Sequence, residues 1–133
     1  MREATLDDMP LILEMGAAFH KAAGNEFDLD TDATAESVAK MMEVGCVLIT
    51  DRGMIGGTLA PAWCQPNWTY AIELFWWAED GRGRELLRGF EEWARRCGAN
   101  ELRLTTLDNL TVADMVLTRC GYSKREASYA KEI

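Results

Sequence analysis

The sequence predicts one α/β (α+β) domain spanning residues 1–133, with a mixed, mostly antiparallel central sheet flanked by helices on both faces. Three observations lead there. A chain of 133 residues with 48% apolar content can bury one core and is too short for two. Apolar residues recur at helical spacing near the start and again in the second half, with β-branched and aromatic runs between them. Strands joined early by a tight turn demand antiparallel pairing, whereas strands joined later through helices demand a parallel pair.

In chain order, Met9, Ile12, Leu13, Gly16, Phe19 and Ala23 form one stripe of a helix from about Asp7 to Ala23. Pro10 fits its first turn, where no N–H is needed, and Thr5 or Asp7 is the expected cap. Gly24 to Ala33 is polar, acidic and rich in turn formers, and reads as a loop. A second helix is expected from Thr34 as N-cap to Gly45, with Ala35, Val38, Ala39 and Met42 on one side. Cys46 to Thr50 and Met54 to Ala60, separated by Asp51-Arg52-Gly53, read as a β-hairpin. Pro61 and Pro66 bracket an expected loop, and Thr69 to Ala78 reads as a long buried strand.

From Gly83, Leu86, Leu87, Phe90, Trp93, Ala94 and Cys97 follow the 3.6-residue period of an amphipathic helix that Gly98 ends. Glu91 with Arg95 and Glu92 with Arg96 support its solvated face. Leu102 to Thr106 reads as a strand, Leu110 or Thr111 opens a helix that Gly121 caps, and Tyr122 to Lys131 reads as a last strand. The expected order is β-α-α-β-β-β-α-β-α-β.

Fourteen basic against 22 acidic residues give a net charge of −8, which repels nucleic-acid phosphates and anionic lipid and favours cationic substrates such as amines. Cys46, Cys64, Cys97 and Cys120 form no CxxC pair, and His20 is the sole histidine, so a Cys/His metal site is poorly supplied. The expectation is four reduced, mostly buried thiols. His20 is expected at the surface or edge of the first helix. Met1 to Asp8 carries charge and no apolar stretch, and no run approaches the ~18 residues of a membrane span. A soluble, cytoplasmic protein without membrane or nucleic-acid partners is expected.

The segment from Ala71 to Leu87 joins a buried strand to a helix through a turn holding Gly81 and Gly83. Such a turn is suited to anions: glycines admit close backbone approach, first-turn N–H groups point outward, and the helix dipole places roughly half a positive charge there. Arg82 and Arg84 add side-chain charge. By itself a GxG before a helix is also an ordinary turn without a ligand.

Gly81 and Gly83 match the two small positions of the loop Gln/Arg-x-x-Gly-x-Gly/Ala, Arg2 to Asp8 matches an opening Arg-x-Ala-Thr-x-x-Asp, and Cys120-Gly121-Tyr122 stands where a Gly-Phe pair is usual. In these motifs, and in element order over nearly its whole length, the chain resembles the GCN5-related N-acetyltransferases. The resemblance implies an acetyl-CoA-dependent enzyme with an amine acceptor. It implies that backbone groups of Phe75, Trp76, Trp77 and Ala78 bond the pantetheine arm, that amides of Arg82, Gly83, Arg84 and Glu85 beside Gly81 hold the pyrophosphate, and that Asn109 and Ala113 flank the thioester. It also implies Glu73 as general base, since an alkyl ammonium of pKa about 10 must lose its proton before attack. A plain alternative puts Glu73 on the outer face of its strand or in an ion pair.

Two positions depart from the pattern. Ala78 stands at the Gln/Arg position of a shortened loop, and Leu117 at the tyrosine that usually reprotonates the thiolate. Tyr122 or Tyr129 could substitute, or water could serve. These departures leave open a catalytically degenerate binding module, and more remotely a nucleotide-binding protein. Trp63, Trp68, Trp76 and Trp77 suggest the wall of an acceptor pocket or a homodimer face, with core packing as the ordinary reading.

Overall fold

The computed structural model describes residues 1–107 and 111–133. Strand β1 (Arg2–Glu3) leads through a 3-10 turn (Leu6–Asp8) into helix α1 (Met9–Ala22), with Pro10 in its first turn. Asp8 organises this start: it accepts the Thr5 amide at 2.8 Å and a two-pronged contact from Arg2 at 2.7 and 2.6 Å. The opening Arg-x-Ala-Thr-x-x-Asp pattern thus has a structural cause, a capped turn tied to the first strand.

Helix α2 (Thr31–Val44) starts earlier than the expected Thr34, because Asp30 is its N-cap and accepts the Ala33 amide at 2.9 Å. The Thr34 hydroxyl bonds back to the Asp30 carbonyl within the first turn. Strand β2 (Cys46–Ile49) and strand β3 (Gly53–Ala62) form the expected hairpin. The loop expected between Pro61 and Pro66 is instead strand: β3 runs on to Ala62 and β4 (Gln65–Ala78) begins at Gln65, leaving only Trp63 and Cys64 to turn the chain. This ribbon outruns β2, whose pairing with β3 ends at Gly57.

Helix α3 (Gly83–Arg96) buries Leu86, Leu87, Phe90, Trp93 and Ala94. Strand β5 (Glu101–Arg103) then lies parallel to β4, with Tyr70 to Ile72 opposite Glu101 to Arg103. Helix α4 (Thr111–Arg119) buries no residue, and Val112 and Met115 are exposed. The strand expected from Tyr122 to Lys131 is absent, and the segment after Tyr122 is exposed coil. That segment contains Ser123, Lys124, Arg125 and Glu126 in succession, which have no apolar face to bury, and among the described residues no strand lies alongside to receive their backbone.

The five strands are ordered β1-β2-β3-β4-β5, antiparallel except for the last pair. One core lies between the sheet and α3, around Phe90, Leu86 and Ile55; the other lies beneath α1 and α2, around Ile12, Met15 and Met54. Helices therefore cover both faces, as expected. Phe90 and Trp93 stack at 5.1 Å between centroids, and full burial of a side chain the size of Phe90 contributes about 1.5–3 kcal/mol.

Strand β4 carries a bulge. Gly56 pairs with Phe75 and Gly57 with Glu73, so Leu74 has no partner on β3 and is 54% exposed. Ala71, Trp76 and Ala78 pack in the α3 core, whereas Phe75 and Trp77 pack in the α1/α2 core. In an unbroken strand Ala71, Phe75 and Trp77 would share a face. Gly56 leaves room for Phe75 opposite it, since a Cβ there would lie 2.3 Å from the ring.

The thiols differ from expectation. All four cysteines are free, but only Cys46 is buried, Cys120 is half-buried, and Cys64 and Cys97 are exposed. Burial pushes the Cys46 thiol up to about 12, so it is inert as a nucleophile. Among the described residues, no helix is long and apolar enough to cross a membrane.

Candidate functional site

The pairing of β4 with β5 stops at Ile72 and Arg103, while β4 continues to Ala78. Beyond this point the two strands part, and the main chain from Leu74 to Ala78 has no strand beside it on the β5 side among the described residues. Glu73 stands where they separate. Its side chain is 5% exposed, and one carboxylate oxygen accepts the Thr105 amide at 3.1 Å from across the gap. Burial raises its pKa to about 7 against the opposing effect of that bond, because an ion is poorly solvated there. Glu73 is therefore not on the outer face and has no ion pair among the described residues, and it sits in the range where a carboxyl both holds and releases a proton near neutral pH.

Phe75, Trp76, Trp77 and Ala78 are all half-buried. The Trp76 indole donates to the Gly83 carbonyl at 3.2 Å, joining the end of β4 to the first turn of α3. Trp77 packs against Phe19 at 6.1 Å and donates to Glu79 at 3.1 Å. The four indoles considered together in the sequence do not form one wall. Trp76 and Trp77 lie on opposite faces, while Trp63, 96% exposed, and Trp68 stand at the far end of the β3–β4 ribbon.

In the turn, Gly81 has φ of 74°, a conformation that disfavours any side chain. Gly83 has no such need: an added Cβ would come no closer than 3.4 Å to another atom, which is ordinary contact. The fold accepts a Cβ at Gly83, so packing around that atom does not account for glycine there. The four amides expected to face outward divide evenly. The Arg82 amide donates to the Asp80 carboxylate at 3.0 Å, and the Glu85 amide to the Arg82 carbonyl at 3.0 Å. Those of Gly83 and Arg84 have no recorded partner among the described residues.

The side chains around this turn are also largely paired. Arg82 meets Glu85 at 2.8 and 2.9 Å, and this pairing, with a second contact from the terminal amine, holds the Glu85 carboxyl down to about 2. Arg52 meets Glu14 at 2.7 Å and Glu79 at 2.6 Å. Arg84 is exposed and has no ion pair among the described residues.

Among the other candidates, Asn109 lies outside the described residues, and Ala113 is half-buried in the first turn of α4. Tyr122 donates to Glu91 at 2.7 Å, and burial together with that carboxylate raises its pKa far above the usual phenol range. Tyr129 is 94% exposed. Among the described residues, neither tyrosine hydrogen-bonds to Glu73. The His20 ring bonds the Phe27 carbonyl at 2.7 Å and the Asn25 amide at 3.1 Å, so both its nitrogens are occupied at the end of α1. Asp80 and Thr105 escaped the sequence reading, because their contacts join segments 30 and 32 residues apart.

No family model matches the chain, and no curated protein matches it by sequence. Solved structures do. A predicted acetyltransferase with acetyl-CoA from Clostridium acetobutylicum is similar over 98% of this chain and 94% of its own, at TM-score 0.76 and 10% identity. The aminoglycoside N-acetyltransferase AAC(6')-Iy in complex with CoA aligns over 99% and 92%, at TM-score 0.71 and 12% identity. A GCN5-related N-acetyltransferase from Ralstonia eutropha JMP134 aligns over 99% and 96%, at TM-score 0.69 and 16% identity. Element order and these end-to-end superpositions agree: the chain has the fold of the GCN5-related N-acetyltransferases.

Proposed function

We propose that the chain is an acetyl-CoA-dependent N-acetyltransferase that passes the acetyl group directly to a primary amine of a small molecule or protein. The observation that carries this reading is Glu73, a buried carboxyl poised near neutrality where β4 leaves β5. Solved structures of the same fold hold acetyl-CoA or CoA, which supports the same coenzyme here.

Bound acetyl-CoA would supply an activated thioester. The chain's own groups divide the remaining work. The free main chain of Phe75 to Ala78 is suited to bond an extended pantetheine arm as a strand would. The open amides of Gly83 and Arg84, with the Arg84 guanidinium, suit one phosphate of the diphosphate. Ionised Glu73, directly or through water, takes the proton an ammonium must lose before it attacks. A thiolate of pKa about 8.5 leaves with water as proton donor, so no tyrosine need replace the one whose position Leu117 holds. The surplus of acidic residues, net charge −8, favours a cationic acceptor.

Acetyl-CoA should raise the melting temperature by mass action, and Gly83→Glu should abolish that rise in a protein that still melts cooperatively without the coenzyme. A shift of equal size in both proteins would sink the proposal.

A second reading, a coenzyme-binding or interaction module without turnover, is favoured by one observation: the Asp80 carboxylate occupies an amide of the phosphate turn. Amine-dependent thiol release that collapses in Glu73→Gln counts against this second reading. Coenzyme binding with no release from any amine in a broad panel supports it.

A further inference from the structure

Asp80 lies between Gly81 and the end of β4, and its carboxylate is held from two turns at once. One oxygen accepts the Arg82 amide at 3.0 Å; the other accepts the Thr50 hydroxyl and, at 3.2 Å, the Arg52 amide. Thr50 and Arg52 lie in the β2–β3 turn, and the Thr50 contact spans 30 residues of sequence. These donors hold the carboxyl below its ordinary range against the effect of partial burial, so it stays charged at neutral pH.

Arg82 adds a charge attraction that helps keep Asp80 ionised, but no cation pairs with the carboxylate directly among the described residues. Arg82 is engaged by Glu85 and Asp51, and Arg52 by Glu14 and Glu79. Asp80 is therefore a charged group satisfied mainly by a hydroxyl and two amides, the kind of donor set that would otherwise receive a phosphate oxygen. A diphosphate approaching the turn meets one amide already taken and a fixed negative charge beside the two amides that remain.

Resting on the proposed coenzyme-binding role of this turn, we propose that Asp80 is an intramolecular competitor of the coenzyme diphosphate, a built-in anion that must be displaced or outbid before the coenzyme seats. A purely architectural role makes the opposite prediction. A clamp between two turns would aid binding by keeping the cradle in shape, whereas a competitor opposes binding through charge at the same donors. Removing the charge therefore moves affinity in opposite directions under the two roles.

The test is calorimetric titration of the full chain and of Asp80→Asn and Asp80→Ala with coenzyme A, and separately with inorganic pyrophosphate, at low and high salt. Asn keeps the volume and can still accept the Arg82 amide, so it guards against a variant that fails to fold. The expected result is at least about tenfold tighter coenzyme A binding in both variants, the scale of removing one like charge at contact distance. Pyrophosphate should bind the variants and not the parent, and the gap should narrow at high salt. Unchanged or weaker binding in Asp80→Asn, with the parent still binding coenzyme A, overturns the competitor role and leaves the enzyme reading standing. No binding of coenzyme A at millimolar concentration by any of the three proteins overturns both.

Discussion

Glu73 on β4 accepts the Thr105 amide at 3.1 Å across the point where the two central strands separate. Among the described residues, it is a side-chain hydrogen bond that joins β4 to the segment after β5 just where the free length of β4 begins. A buried carboxyl with a single hydrogen bond is costly to ionise, so the site holds a group whose charge state responds to small changes in its surroundings.

That cost sets a pH dependence of stability. The Glu73 carboxyl rises from 4.5 to about 7 on folding, so the unfolded chain loses the proton first as pH rises. Stability from this group is complete below about pH 4.5, falls through the window up to about pH 7, and is lower by on the order of 3 kcal/mol above it. In denaturant titrations at about pH 5 and about pH 8, Glu73→Gln should lose less stability than the parent between the two conditions. Parallel losses would show that Glu73 titrates normally.

The two turn glycines should respond differently to alanine. Gly81, with φ of 74°, should lose about 1 kcal/mol of stability because a side chain is disfavoured in that conformation. Gly83→Ala should cost within about 0.5 kcal/mol and weaken coenzyme binding instead. Melting curves with and without coenzyme A separate the two effects.

Aromatic side chains offer a contrast in burial. Phe90→Ala empties the centre of the α3 core and should cost about 3–5 kcal/mol by chemical denaturation. Trp63→Ala, at a residue 96% exposed, should leave stability within about 0.5 kcal/mol.

Tyr122 ties the end of the α4 segment to α3 through Glu91. Tyr122→Phe should lower stability by roughly 1 kcal/mol, the ordinary net value of a hydrogen bond, and leave thiol release unchanged because the phenol's hydrogen bond is spent on Glu91. A large drop in turnover at unchanged stability would instead identify Tyr122 as the proton donor to the departing thiolate.

Much of the fold was legible because it rests on local periodicity. Helix α3 follows its apolar stripe almost residue by residue, failing only at Cys97, which is exposed past the last helical turn. The start of α2 was misread because Asp30 and Thr34 are both good caps, and only the Ala33 amide decides between them. The strand expected after Tyr122 failed for a non-local reason: a strand requires a neighbour, and the sequence of one segment does not show whether another will pair with it. Of the site, the glycine turn and the candidacy of Glu73 were readable from residue type and position. Its burial was not, nor was the occupation of the Arg82 amide, because Asp80 in a turn looks the same whether it faces solvent or reaches back to Thr50.

The unpaired Leu74 has one more effect. A single surplus residue changes the parity of β4, so positions an odd number apart come to face the same way, and the order of inward and outward side chains restarts from Phe75. Removing that residue would leave the chain's chemistry in place but exchange its layers, turning Trp76 away from the Gly83 carbonyl it now holds. The geometry of the phosphate turn is thus set partly by a residue count in the preceding strand, not only by the residues in the turn itself.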